Sequence, residues 1–185
     1  PNAPCDDWAG MLDTAKVRGW INYASIIPLD RAIMHYVGYK EEIAVNIVPT
    51  RGGAGARQAV LGGHVDLGFS GSNALPMMED GALKVVAALN PEGIKEHANI
   101  PTLDALGYGV SAVEAAVFFG PADMDADAQA ALENALAAAV QSEEFKDFVN
   151  NKFRGFETFK TGAETAEGIA TDAVAYQELL KVISE

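Results

Sequence analysis

The 185-residue sequence is poor in cysteine, in basic residues and in long apolar runs. Its single cysteine, Cys5, excludes an internal disulfide framework and a cysteine-based zinc site. Thirteen Lys and Arg residues stand against 26 Asp and Glu residues, which leaves a net charge of −13. Because phosphate backbones and anionic lipids are bound through basic surfaces, this balance argues against nucleic acid and anionic membranes as partners. No apolar run reaches the roughly 18 residues that predict a membrane-spanning helix.

The composition otherwise predicts a folded globular chain. Apolar residues make up 49% of the sequence and charged residues 21%, which is typical of globular domains and not of disordered segments. An anionic small molecule remains an acceptable ligand, because a single site can be locally positive on an acidic protein. The chain begins with Pro1 and not with Met, so we expect a processed chain that a signal peptide once preceded.

Alternating strand and helix patterns in the first half of the sequence predict an α/β fold with a mostly parallel sheet. Trp8, Met11, Leu12 and Ala15 fall at helical spacing behind two aspartates, which predicts a capped first helix. Strands are then expected at residues 20–24, 43–48, 65–69 and 83–89, and helices at residues 29–36 and 56–61.

The second half of the sequence is predicted to be mainly helical. A short helix at residues 102–106 and a long apolar strand at residues 109–119 come first. Asp125 is expected to cap a helix with an apolar stripe, and Thr161 with Glu164 fits a capping box before the last helix. The apolar stripes of these helices need a surface to bury against.

Three polar loops that follow predicted strands form the candidate binding site. In an open parallel sheet the carboxyl ends of the strands converge on one crevice, where ligands bind. The loops offer hydroxyl groups, a side-chain amide and the backbone N–H groups of a helix start, which suit holding an anion more than transforming one. The candidate ligand-binding residues are Ser25, Gly52, Gly53, Ser70, Ser72 and Asn73.

The glycine-rich loop at residues 51–57 matches no complete nucleotide-binding motif. It lacks the Lys-Ser/Thr pair of a P-loop, and Gln58 stands where the third glycine of a dinucleotide fingerprint belongs. A tight turn that binds nothing and an anion site are both open interpretations of this stretch. No group of His, Asp and Glu has the spacing of metal ligands, so neither a metal nor a cofactor is predicted.

Residues 68–72 nearly match the G-x-S-x-G nucleophile elbow of α/β-hydrolases. Ser72 replaces the last glycine of that motif. A small serine hydrolase that uses Ser70, with His97 as base and Asp104 as its orienting group, is therefore kept as an alternative. The favoured interpretation is a polar loop whose hydroxyl groups bond a ligand or the backbone.

Several segments resemble those of one known family, in the same order along the chain. Residues 47–53 (IVPTRGG) and 59–66 (AVLGGHVD) are similar to its segment VPYKGG…ALLGGxVD. Residues 80–87 (DGALKVVA) resemble AGKLRALA, and residues 100–108 (IPTLDALGY) resemble VPTLAEAGY. Similar matches occur at residues 2–16 and 119–122, so the resemblance covers nearly the whole chain. The family is that of the solute receptors of tripartite tricarboxylate transporters, also called TctC or Bug proteins.

The resemblance implies a type II periplasmic-binding-protein-like fold and a non-enzymatic receptor. Its two α/β lobes would close on a small carboxylate and deliver it to membrane permease subunits. By this comparison residues 1–112 are the second-lobe α/β domain, and residues 113–185 are a crossover strand and C-terminal helices that return to an incomplete first lobe. Family members carry a long stretch before the match begins, so we expect either a fragment or a homo-oligomer.

One loop departs from the family pattern. The family's YxSxGxGSxxH loop corresponds to residues 23–33, where Ser25 is kept. Ile27 and Leu29 replace the two glycines, and Asp30 replaces the second serine. Loss of the glycines narrows access to the backbone, and Asp30 is expected to repel an anion. A third hypothesis is therefore an interaction or regulatory module that has kept the fold and lost the ligand.

Overall fold

The protein is represented by a computed structural model, which describes residues 5–112 and 116–182. The chain forms two compact units. The first comprises Pro1–Val113 together with Glu178–Glu185, and the second comprises Glu114–Gln177.

The first unit contains a three-stranded parallel sheet with the strand order β2-β1-β3. Its elements are α1 (Trp8–Arg18), β1 (Trp20–Ser25), α2 (Pro28–Glu41), β2 (Ala44–Pro49), α3 (Gly52–Leu61), β3 (Leu67–Gly68), a 3₁₀ turn (Ser72–Ala74) and α4 (Leu75–Glu79). The predicted parallel α/β sheet is thus confirmed. Because β1 lies in the middle, its side chains at Ile21, Tyr23, Ala24 and Ser25 are all buried.

Local sequence signals explain where the first helices begin and end. The carboxylate of Asp7 accepts a hydrogen bond from Gly10 N at the start of α1, as the predicted cap requires. Gly19 ends α1 in the left-handed conformation, with φ of 79°. Helix α2 begins with Pro28. Proline suits the first turn of a helix, because the N–H groups of that turn have no acceptor within the helix and the N–H that proline lacks would be unpaired in any case.

The main core lies between the sheet and helices α1 and α2. Its largest fully buried side chains include Ile21, Ile33, Val37 and Leu103. Two consecutive hydrogen bonds link three side chains of this region. Trp8 Nε1 donates to the Tyr108 hydroxyl at 3.1 Å, and that hydroxyl donates to Glu41 Oε1 at 2.7 Å. Burial, and then the hydrogen bond to Glu41, raises the pKa of Tyr108 to about 12.

Three predicted elements are corrected by the structure. Residues 83–89 form no strand; Ala88 makes only an isolated parallel bridge with Thr102. Residues 102–106 form turns and not a helix, and the described parts of 109–119 are not a strand; residues 113–115 lie outside the described residues. An apolar run predicts burial, but a strand also needs a neighbouring strand with which its backbone can form hydrogen bonds. Here backbone bonds such as Ala112 N to Leu89 O, at 2.8 Å, tie irregular segments together instead.

The second unit is helical, as the sequence predicts. It contains α5 (Ala126–Gln141), α6 (Glu143–Asp147), a π-helical turn (Phe148–Phe153) and most of α7 (Gly162–Val182). The Asp125 side chain caps α5, and Thr161 with Glu164 forms the predicted capping box. None of the sixteen described residues of α5 is buried, so its apolar stripe stays accessible. Among the described residues, no helix is both long and apolar enough to cross a membrane.

We expect Tyr108→Phe to lower the free energy of unfolding by about 1–3 kcal/mol, because the buried Trp8 N–H would lose its acceptor. Urea denaturation followed by tryptophan fluorescence measures the change. Tyr39→Phe is the matched control, since Tyr39 is 59% exposed. Equal stabilities of the two variants would contradict the structural role assigned to the Trp8–Tyr108–Glu41 chain.

Candidate ligand-binding site

The carboxyl ends of the three strands lie side by side at one edge of the sheet. The register pairs Ser25 with Pro49 and Ala24 with Gly68. Beyond the strands, Thr50 N donates to Ser25 O at 2.8 Å. The loops that follow β1, β2 and β3 therefore leave the sheet as neighbours, which is the arrangement expected for a ligand site in a parallel sheet.

Gly53, in the first turn of α3, is the point at which these three loops approach one another. A Cβ atom built on Gly53 would lie 3.1 Å from Arg57 Nη1, 3.3 Å from Ser70 Oγ and 3.8 Å from Ile26 Cδ1. Ile26 follows β1, Gly53 follows β2 and Ser70 follows β3. The structure therefore brings Gly53 and Ser70 together, two of the residues selected from the sequence.

Arg57 supplies the positive charge that the sequence interpretation did not assign to the site. Its Nη1 donates to Ser70 Oγ at 2.9 Å, which leaves the Ser70 hydroxyl proton available to an acceptor. Arg57 Nε is buried and has no hydrogen-bond partner among the described residues. Arg57 stands four positions after Gly53 on one helix, and helical side chains lean toward the N-terminus, so this spacing was a usable signal.

The start of α3 carries no negatively charged side chain in its first turn. Its cap residue, Arg51, makes no side-chain capping bond, and the first turn of α3 holds no acidic residue. The first-turn N–H groups of a helix carry partial positive charge and are suited to an anion. Arg57 beside this turn adds a full positive charge.

The start of α2 is closed by the chain's own carboxylate. Asp30 is 1% exposed, and its Oδ1 accepts hydrogen bonds from Ile26 N at 3.2 Å and Ile27 N at 2.6 Å. The expected effect of Asp30 is therefore more specific than repulsion, since it already occupies the N–H groups that an anion would use. Burial, and then the charge of Asp30, raises the pKa of the neighbouring Tyr23 hydroxyl.

Ser25 is also turned inward. It is 1% exposed, and its hydroxyl donates to Ile27 O at 3.4 Å. Its carbonyl oxygen accepts hydrogen bonds from the backbone and the hydroxyl of Thr50. The remaining candidates, Ser72 and Asn73, lie in the 3₁₀ turn after Gly71, where Ser72 is half-buried and Asn73 is exposed. A ligand role for Ser25, Ser72 and Asn73 stays a prediction.

The two partners proposed for a hydrolase have other partners in the structure. Ser70 is bonded to Arg57, and His97 Nε2 lies 3.1 Å from Glu79 Oε1. The side-chain atoms of Glu79, Glu96 and His97 that could coordinate a metal ion lie within 4.8 Å of one another. The spacing of these residues in the sequence did not predict this grouping. The three side chains have the donor types of a cation site, and two of them, His97 and Glu79, are in hydrogen-bond contact with each other.

A surface depression of about 440 Å³ lies elsewhere on the first unit. It is lined by Lys16 near the end of α1 and by Lys40, Glu41 and Glu42 at the end of α2. Helices α1 and α2 end where β1 and β2 begin, so this depression is at the amino-terminal edge of the sheet. The candidate site is instead the rim around Gly53, by which we mean the half-buried residues Gly53, Arg57 and Ser70 at the carboxyl-terminal edge.

Comparison with known proteins identifies a family and a shared fold. A family model described as the tripartite tricarboxylate transporter family receptor, TctC, matches residues 1–184. Rpa4515 from R. palustris, solved with adipate, aligns over 99% of this chain with a TM-score of 0.76 and 14% identity. A TctC solute binding protein from Polaromonas, without ligand, aligns over 97% with a TM-score of 0.74 and 21% identity. No curated protein gives a significant match.

A third structure, described as a periplasmic transporter, aligns over 98% of this chain with a TM-score of 0.74 and 20% identity. This chain spans only 62–63% of the length of the three solved structures. At these identities the structural matches establish the fold, while the family model establishes the family. The predicted periplasmic-binding-protein-like fold is confirmed by the matches.

We expect Gly52→Ala to cost about 1–2 kcal/mol of stability, because Gly52 has φ of +67° and an L-residue is strained there. No atom lies within 4 Å of the added Cβ, so the cost comes from the backbone alone. Gly71→Ala is the matched control, since Gly71 has φ of −73° and its Cβ also meets nothing within 4 Å. Urea unfolding should separate the two variants, and an unaffected Gly52→Ala protein would refute the conformation of this loop.

Proposed function

The chain belongs to the tripartite tricarboxylate transporter family of receptors, which are solute-binding proteins, and we propose that it is a periplasmic receptor for a small carboxylate. It would deliver this ligand to the membrane permease subunits of such a transporter.

The observation that carries the proposal is the grouping of Gly53, Arg57 and Ser70 at the start of α3. A carboxylate there would accept hydrogen bonds from the first-turn N–H groups and from the guanidinium. Arg57 offers planar N–H donors that match two carboxylate oxygens, and the Ser70 hydroxyl can donate its own proton. The acidic protein thus has one locally positive place at the edge where parallel sheets bind ligands.

The relatives support the same ligand class. The R. palustris protein was solved with adipate, a small dicarboxylate. The groups at the start of α3 are hydrogen-bond donors and a fixed positive charge, and in the described part of the chain the hydrogen-bond partner of Ser70 is Arg57 and not a base. This favours holding a ligand over attacking it. A receptor therefore accounts for this geometry better than a serine hydrolase does.

We expect Arg57→Gln to weaken carboxylate binding at least tenfold, because the ligand would lose a charge-assisted hydrogen bond from the guanidinium group. Isothermal titration of the full-length protein with a panel of mono-, di- and tricarboxylates measures the change. In thermal-shift experiments, a ligand at 100 times its dissociation constant should add about 2.7 kcal/mol of stability to the unmodified protein.

Lys40→Gln is the control, since it removes the same charge at the opposite edge of the sheet. It should leave binding unchanged. A flat response of the unmodified protein to the whole panel would reject the receptor proposal and favour a module that has lost its ligand. Labelling of Ser70 by a covalent serine probe would instead support the hydrolase.

A further inference from the structure

The two helix starts at the carboxyl edge of the sheet carry different charged side chains, and Asp30 at α2 is followed directly by Arg31. Helix α2 carries Asp30 in its first turn, whereas α3 carries no acidic residue there and has Arg57 beside it. Both helices are long enough for an aligned set of backbone dipoles, since α2 has 14 residues and α3 has 10. The difference between the two starts therefore arises from side chains.

Asp30 is a buried carboxyl group that the chain itself places at the start of α2. Its Oδ1 accepts hydrogen bonds from Ile26 N and Ile27 N. Its Oδ2 is buried, and the neighbouring Tyr23 hydroxyl interacts with this side chain. Solvent would screen a charge at so buried a position very little.

The two helix starts are also close together. Strands β1 and β2 are paired along their whole length, from Trp20 with Ala44 to Ser25 with Pro49. Ile26, whose N–H is bonded to Asp30, would contact a Cβ at Gly53 at 3.8 Å. A ligand bound at the start of α3 therefore lies beside the loop that Asp30 closes.

We propose that Asp30 is a specificity-determining residue that admits one ligand carboxylate, at the start of α3, and excludes a second carboxylate from the start of α2. This inference rests on the proposed function and adds the ligand class to it. The favoured ligands carry a single carboxylate, and the group that faces α2 is neutral or donates hydrogen bonds. A second carboxylate there would find the Ile26 and Ile27 N–H groups already occupied and would meet the Asp30 charge.

The test compares dicarboxylates with their half-amides, which have the same length and shape but one charge fewer. Succinate, glutarate and adipate are titrated against succinamate, glutaramate and adipamate by calorimetry with the full-length protein. For the unmodified protein we expect the half-amide of at least one length to bind about tenfold more tightly than its dicarboxylate. Asp30→Asn, which preserves the side-chain shape, should remove this preference while affinity for the half-amide changes little.

Asp104→Asn is the control, because it removes the same charge from an exposed position on the same unit. It should keep the preference for half-amides. Asp30→Ser, with a shorter side chain, is a second variant in case the amide disturbs folding, and circular dichroism checks both proteins. Equal or tighter binding of dicarboxylates by the unmodified protein would overturn this inference and leave the receptor proposal standing. Absence of binding by every compound would overturn both.

Discussion

The pairing of β1 between two parallel neighbours is the constraint on which the proposed site depends. A parallel ladder makes all three strands end at the same edge, so loops distant in sequence become neighbours. Ser70 can accept a hydrogen bond from Arg57 only because β3 runs beside β1 and delivers it there. The consecutive residues Tyr23, Ala24 and Ser25 are all buried, so β1 is covered on both faces, which stabilises its central place in the sheet.

The fold supplies two helix starts at this edge, and side chains then make them different. A helix start favours negative charge whatever its source, so an aspartate of the chain and a ligand carboxylate compete for the same kind of position. At α2 the chain's own carboxylate fills that position. At α3 the glycines leave the backbone approachable, and Arg57 with Ser70 extends the set of donors.

Local signals predicted most of the first unit correctly. Capping residues, glycines and alternating apolar positions located α1, β1, α2, β2 and α3, because the information for these elements lies within a few residues. The expected strands at residues 83–89 and 109–119 were wrong for a physical reason. A strand forms only when a neighbouring strand accepts and donates its backbone hydrogen bonds. The apolar content of a segment does not show whether such a neighbour is present. Ala88 is buried, but its backbone makes one isolated bridge, to Thr102, and no strand.

The sequence allowed the loops of the candidate site to be chosen, but not the contacts within them. The rule that ligands bind at the carboxyl edge selected loops that the structure places side by side, whereas side-chain contacts such as Arg57 with Ser70 and His97 with Glu79 depend on tertiary packing. Asp30 was recognised as unfavourable to an anion; its bonds to the Ile26 and Ile27 N–H groups could not be seen from sequence alone.

The net charge of −13 is a poor guide to the ligand of this protein. At physiological ionic strength, exposed charges more than about 8 Å apart are largely screened from each other, so most surface carboxylates contribute little at the rim. Groups that are close and partly buried dominate, and around Gly53 these are Arg57 and, across the neighbouring loop, Asp30. An arginine therefore marks one helix start and a buried aspartate the other, which sets a boundary between two adjacent loops. A ligand with unlike ends matches such a boundary better than a symmetric dianion does, and this follows from the placement of two residues and not from the composition of the chain.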